Sequence, residues 1–170
     1  MTGATMASGD LRLLLAEIAT ARPLLAQLAA EVESVLHRNP ETIPREALAL
    51  IAIDLHSYYT KVEGLLERIL ISFEGQAPRG ESGHVGLLRV AGLTIPGVRP
   101  AIFSEQTREV LDELRKFRHF FRHAYALDLR ADKLARVLDP FIPGHPALDR
   151  ELEAFVAFIE RTVAQLETTP

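Results

Sequence analysis

The stretch RKFRHFFRHAY at residues 115–125 puts Arg118, His119, Arg122, His123 and Tyr125 on about two turns of one expected helix. Arginine grips a phosphate through two parallel N–H bonds. Histidine changes charge near neutral pH and can move protons. Cutting RNA without a metal needs these parts: a group that deprotonates the ribose 2′-OH, one that stabilises the crowded phosphate, and one that protonates the leaving oxygen. DNA lacks the 2′-OH, so such chemistry selects RNA. Residues five apart on a helix point roughly 140° apart, so Arg118 and His123 do not share a stripe, whereas Arg122 and Tyr125 return close to the direction of Arg118. Either the helix distorts here, or side chains converge from two copies of the chain across a two-fold axis.

A plainer reading stands beside this one. Arginine and histidine flanking an apolar stripe are commonly exposed surface residues, and the segment also offers the register Arg115 with His119. The register Arg118 with His123 is preferred because it alone supplies the tyrosine. His119 and His123 have a metal-compatible spacing. However, no acidic residue lies within the same turn and Arg115, Arg118 and Arg122 surround them, so no metal and no cofactor are expected.

Charge sharpens the picture. The chain carries −4 overall, which argues against a generally basic nucleic-acid binder. Residues 115–136 hold seven Lys or Arg against two acidic residues, a local +5 that leaves −9 for the remainder. The absence of cysteine excludes disulfides, thiolate metal sites and a Cys nucleophile, and fits a reducing, cytoplasmic setting. No apolar run is seen to approach the roughly 20 residues of a membrane span. Phosphate-binding glycine loops, nucleophile elbows and paired-histidine zinc signatures are absent.

The elements that must hold these residues are helical. Residues 1–9 read as a short flexible leader and 10–168 as one domain. A first helix is expected from Asp10, as N-cap, to His37, with a kink or break near Arg22 because of Pro23. A second starts near Pro44 and ends at Gly75. Its apolar residues Leu48, Ile51, Leu55, Tyr58, Val62, Leu65 and Ile69 step by three and four, and Tyr59, Leu66, Leu70 and Phe73 widen the stripe, so it should be central. A short helix is expected over His84 to Ala91 and a long one from an N-cap at Ser104 to Leu127. A short helix over Asp132 to Leu138, a turn at DPFIPGHP with His145 as a cap, and a last helix from Ala147 to Leu166 complete the chain. No segment alternates with period two. The fold class is therefore all-α, an antiparallel bundle of four or five main helices. Tyr58 belongs to the core stripe. His56 and Tyr59 are candidates to line a cleft, and Asp54 and Glu63 to pair with the arginines behind it.

Arg118, four residues, His123, one residue and Tyr125 resemble the R-x(4)-H-x-Y motif of HEPN ribonucleases, in particular the HepT-like toxins, in which the residue after the arginine is usually Asn, Asp or His, here His119. DLHSYYTKVEGLLERIL at residues 54–70 is similar to the second helix of that group. The segment from His84 through GVRPAIFSEQTREVLDELRKFRH to residues 127–129 resembles it too. The resemblance implies a HEPN-type bundle that dimerises and sets the arginine and histidine of both chains in one cleft. It implies metal-independent RNA cleavage leaving a 2′,3′-cyclic phosphate. By position, Arg118 would stabilise the phosphate, His123 would serve proton transfer and His119 would be a supporting polar group; the residues themselves, not the resemblance, add Arg122 as a supporting candidate and Asp54, His56, Tyr59 and Glu63 as candidates behind the site. The resemblance further implies a small MNT-type nucleotidyltransferase antitoxin that adds AMP to Tyr125 and so blocks the cleft. Some HEPN proteins bind nucleotides or partner a nucleotidyltransferase without cleaving RNA. That binding module, or a purely structural bundle, is the alternative expectation.

Overall fold

A computed structural model describes residues 8–38, 42–79, 83–123 and 131–168, with Arg122 and His123 described by backbone alone. Among the described residues five helices follow one another: α1 (Ser8–Arg38), α2 (Arg45–Glu74), α3 (Gly83–Ala91), α4 (Glu105–His123) and α5 (Ala131–Thr168). α1 packs on α2 and α5, α4 packs on the same two, and short α3 bridges α2 and α4. Among the described residues no strand forms; an isolated bridge joins Ile95 and Arg99 in the α3–α4 connection. The all-α class and the five-helix count match the sequence reading.

α2 is the hub because its apolar stripe is wide. Ile51, Leu55, Tyr58, Tyr59, Val62, Leu66, Ile69 and Leu70 are all fully buried. Pro44 precedes the first turn in an extended conformation, and Gly75, at φ 74°, ends the helix by donating its N–H to Ile71. Ser104 caps α4 as expected, its Oγ accepting the Thr107 N–H at 3.2 Å.

Five expectations are corrected: the Asp10 cap, a break at Pro23, the turn at DPFIPGHP, the His145 cap and the lack of a span-length apolar run. α1 starts at Ser8, leaving Asp10 inside its first turn, and it runs unbroken through Pro23. Pro23 is exposed, so water can serve the carbonyl that its missing N–H leaves over. Arg22 beside it forks Asp149 of α5 at 2.7 and 2.9 Å and ties α1 to α5 next to the proline. α5 likewise crosses Pro140, Pro143 and Pro146 as one 38-residue helix, where a turn was expected. Spaced by three, the prolines keep near one face; Pro143 and Pro146 are exposed while Phe141 and Leu148 anchor the opposite side in the core. A Cβ on Gly144 would come within 2.9 Å of Val110, so glycine here allows α5 to approach α4 closely. His145 is no cap: it bonds Tyr58 on α2 (2.8 Å). Finally, α1 is long and apolar enough, by length and composition, to cross a membrane, which corrects the sequence expectation. In this bundle its Leu11, Leu14, Ile18, Leu25 and Val32 are core residues.

Candidate active site

Arg118 lies on the last turns of α4, where that helix crosses the middle of α2. Its neighbours follow from α2's periodicity. Tyr59 and Glu63, four apart, stack on the face turned to α4. The Arg118 guanidinium sits over the buried Tyr59 ring, 5.9 Å from its centre. Its Nη2 approaches Glu63 Oε2 at 3.5 Å, close enough for attraction and too long for a good hydrogen bond. The other Glu63 oxygen, Oε1, accepts a hydrogen bond from Nδ1 of His84, in the first turn of α3. A carboxylate only accepts, so His84 carries its proton on Nδ1.

Burial grades this group from the inside out. The Glu63 side chain is 9% exposed, Arg118 15% and His84 39%. Arg118 Nε is buried and has no hydrogen-bond partner among the described residues. Burial, and then the adjacent Glu63 carboxylate, pushes the Tyr59 phenol up, against the pull of Arg115 and Arg118, so it stays protonated. Tyr59 is therefore a floor under the guanidinium, buried among the described residues.

The other candidates separate. His56 shares the Glu63 side of α2, one heptad away, and its ring lies 5.5 Å from that of Phe121. It also borders a groove of about 690 Å³ between α1 and α2, with Ser57, Thr60, Lys61, Gly64 and Arg68. Asp54 is nine residues from Glu63 and so points to the opposite side of α2. It sits with Glu31 and Arg38 of α1, and burial, then Glu31, raises its carboxyl. It is not brought to Arg118. His119 is exposed on α4. The side chains of Arg122 and His123, and all of Tyr125, lie outside the described residues. A groove of about 820 Å³ between α3, α4 and α5 is bordered by none of the candidates.

The local positive charge is also trimmed. Arg115 and Lys116 bond Asp112 at 2.8 and 3.0 Å, and Lys116 also bonds Glu113 at 2.7 Å. Burial would raise Asp112, but these two cations outweigh it and hold the carboxyl below its usual range. Both acids lie just outside the basic segment in sequence, so two of its seven cations are already neutralised.

Sequence reasoning did not single out His84. The available signal was a polar residue in the first turn of a short, mostly apolar helix, GHVGLLRVA. Nor did it single out Arg99, described below.

The HepT-like protein family matches residues 50–159, from the start of the α2 stripe to near the end of α5. The chain belongs to the HepT-like family. No curated protein and no solved structure matches it. The match spans every element that builds the Arg118 group, and α1 alone lies wholly outside it. As a HepT-like protein the chain is a HEPN-like helical module, and the family suggests toxin–antitoxin pairing.

Proposed function

We propose that this HepT-like chain is a metal-independent endoribonuclease toxin that works as a homodimer. Arg118 binds and stabilises the scissile phosphate, and His123 moves the proton to or from the reacting oxygens. His119 and Arg122 add positive and polar character around them. The observation that carries this reading is the state of Arg118: a largely buried guanidinium, centred over an aromatic ring, with one long ion pair and an unfilled donor. A purely structural arginine is expected to fill its donors.

Dimerisation is supported by the outer face of α2. Ile53, Ser57, Thr60, Gly64 and Ile71 follow one another by three, four or seven residues along that face, all wholly or partly exposed, beside His56. A two-fold contact there would bring two Arg118 groups towards one cleft and relieve the angular mismatch between Arg118 and His123 on a single helix.

The partner in this reading is an MNT-type nucleotidyltransferase antitoxin that transfers AMP to Tyr125. The added phosphate and base would neutralise and fill the site beside Arg118 and Arg122. The reaction would take place in the cytoplasm.

The test is direct. The chain, purified without any partner, is incubated with cellular RNA in EDTA beside Arg118→Ala and His123→Ala. Cleavage by the unsubstituted protein alone, with 2′,3′-cyclic phosphate ends, is expected. A dimeric, unmodified protein that leaves RNA intact would replace this reading with a non-cleaving module that binds nucleotide or a nucleotidyltransferase.

A further inference from the structure

Glu63 has two oxygens and two cation-type donors, and the structure divides them, His84 on Oε1 and Arg118 on Oε2. A carboxylate free to choose would fork an arginine, giving one oxygen to each of two parallel N–H groups. Here the fork is incomplete: Nη2 has Oε2 at 3.5 Å, while Nε is buried without a partner among the described residues. The oxygen that would complete it is held by His84.

The fold gives His84 a fixed seat for this. The connection after α2 brings Pro78 over the first turns of α3, where a Cβ on Gly83 would lie 3.2 Å from the Pro78 carbonyl oxygen and one on Gly86 2.9 Å from the Pro78 ring. Glycines on both sides of His84 therefore let the connection press directly on the α3 backbone. α3 in turn is anchored by Leu87, Leu88 and Ala91 in the core.

We propose that His84 is a positioning residue for Arg118: by claiming one oxygen of Glu63 it prevents that glutamate from forking the arginine, and so leaves the guanidinium available to a phosphate. This rests on the reading of Arg118 as a phosphate-binding group, and it assigns Glu63 the role of a competitor for the arginine, restrained from α3. Loss of His84 frees Oε1, Glu63 closes the fork through Nε and Nη2, and the edge of the guanidinium that a phosphate needs is occupied.

The experiment reads the arginine itself, so it does not depend on cleavage. In 15N-arginine-labelled full chain, the Arg118 Nε–H resonance is assigned by its loss in Arg118→Lys. His84→Ala is expected to move that resonance downfield, as Nε gains a carboxylate partner. His84→Asn, which keeps a donor at the Nδ1 position, is expected to leave it in place. In Glu63→Gln/His84→Ala the downfield move is expected to disappear. Should His84→Ala unfold, His84→Gln keeps the bulk, shifts the donor away from Nδ1 and carries the same expectation. In parallel, affinity for a fluorescent RNA oligonucleotide is expected to fall about tenfold in His84→Ala, the equivalent of about 1.4 kcal/mol, and to return in His84→Asn. An unmoved Nε–H resonance in His84→Ala, or a move that survives Glu63→Gln, overturns the proposal. A moved resonance in a protein that neither binds nor cuts RNA supports the His84 geometry and overturns the phosphate role of Arg118.

Discussion

Arg99 and Arg118 each bring a guanidinium against a glutamate of α2, and the end and the middle of that helix treat them differently. Arg99, in the α3–α4 connection, has a side chain with 0% exposure. Its Nε and Nη2 both bond Glu74 Oε1, at 2.8 and 2.5 Å. Nη1 takes the carbonyls of Leu93 and Pro100 at 3.0 and 3.1 Å, and Nη2 also takes that of Val90 at 3.1 Å. All five donors are used, two of them on the Leu93 and Pro100 carbonyls of the connection and one on the Val90 carbonyl in the last turn of α3. Arg118 is nearly as buried, with one long ion pair and a buried Nε without a partner among the described residues. One arginine stitches a loop together; the other is kept under-coordinated by the protein that buries it. A fully satisfied buried cation contributes to the fold, whereas an incompletely satisfied one raises the free energy of the fold and leaves donors for a ligand.

The sharpest way to break that contrast is to remove each arginine. Arg99→Ala leaves Glu74 without its arginine and the Leu93 and Pro100 carbonyls without this donor, and is expected to cost about 3–5 kcal/mol in urea unfolding. Arg118→Ala leaves Glu63 still bonded to His84 and is expected to cost about 1–2 kcal/mol, with the loss concentrated in RNA cleavage, down by about 10²–10³-fold. Equal losses of stability would place Arg118 among the structural arginines.

The difference between the two was only partly legible in the sequence. The stripe from Leu48 to Ile69 announced α2 as the hub, and Gly75 and Ser104 marked its end and the start of α4, because these signals act within a few residues of themselves. Glu63 was named as a candidate partner of the arginines by its type and its helix. His84 was not, because nothing local links it to a glutamate 21 residues earlier on another helix. Arg99 was invisible for the same reason: its partners are mostly backbone carbonyls, and any sequence supplies those. The prolines misled in the opposite direction. Pro23, Pro143 and Pro146 do withdraw their N–H groups, but each is exposed, and tertiary anchors (Arg22 on Asp149, His145 on Tyr58) carry the helices past them.

The His145 anchor provides a pH test of how a buried polar group is kept satisfied without charge. Burial pushes the His145 imidazole down, against the smaller opposing pull of Asp149 and Glu33. A neutral ring carrying its proton on Nε2 can accept the Tyr58 hydroxyl at Nδ1, and burial raises the Tyr58 phenol, so that hydroxyl keeps its proton. The folded value lies below the ordinary 6.5, so the unfolded chain takes the proton more readily. This group's contribution is then full above pH 6.5 and is lost as pH falls below it. Unfolding free energy is expected to decline from pH 7 to pH 5, and His145→Gln should flatten that part of the profile. Tyr58→Phe removes the donor to Nδ1 and is expected to cost about 1–2 kcal/mol at pH 7.

A third arginine gives the smallest and finest test, because like Arg99 it grips a carboxylate through Nε and Nη2, yet it lies nearer solvent than Arg118. Arg22 bonds both oxygens of Asp149, with side chains 27% and 36% exposed. The Arg22 hydrogen bonds hold the Asp149 carboxyl below its ordinary 3.8 despite some burial. A carboxylate shifted down stabilises the fold above its unfolded value and loses that contribution as pH falls below 3.8. Water screens a pair this exposed, so Arg22→Ala is expected to cost only about 0.5–1 kcal/mol at pH 7. The penalty should shrink at pH 3, where Asp149 in the unfolded chain is mostly protonated. It should also shrink in high salt, whereas the Arg99→Ala penalty should not, because no solvent reaches that guanidinium. If the Arg22→Ala penalty matches that of Arg99→Ala at both salt concentrations, the paired Nε and Nη2 contact with a carboxylate decides what an arginine contributes to this bundle. If the two separate as expected, burial together with full donor occupancy decides it, and Arg118, buried without full occupancy, is set apart from both.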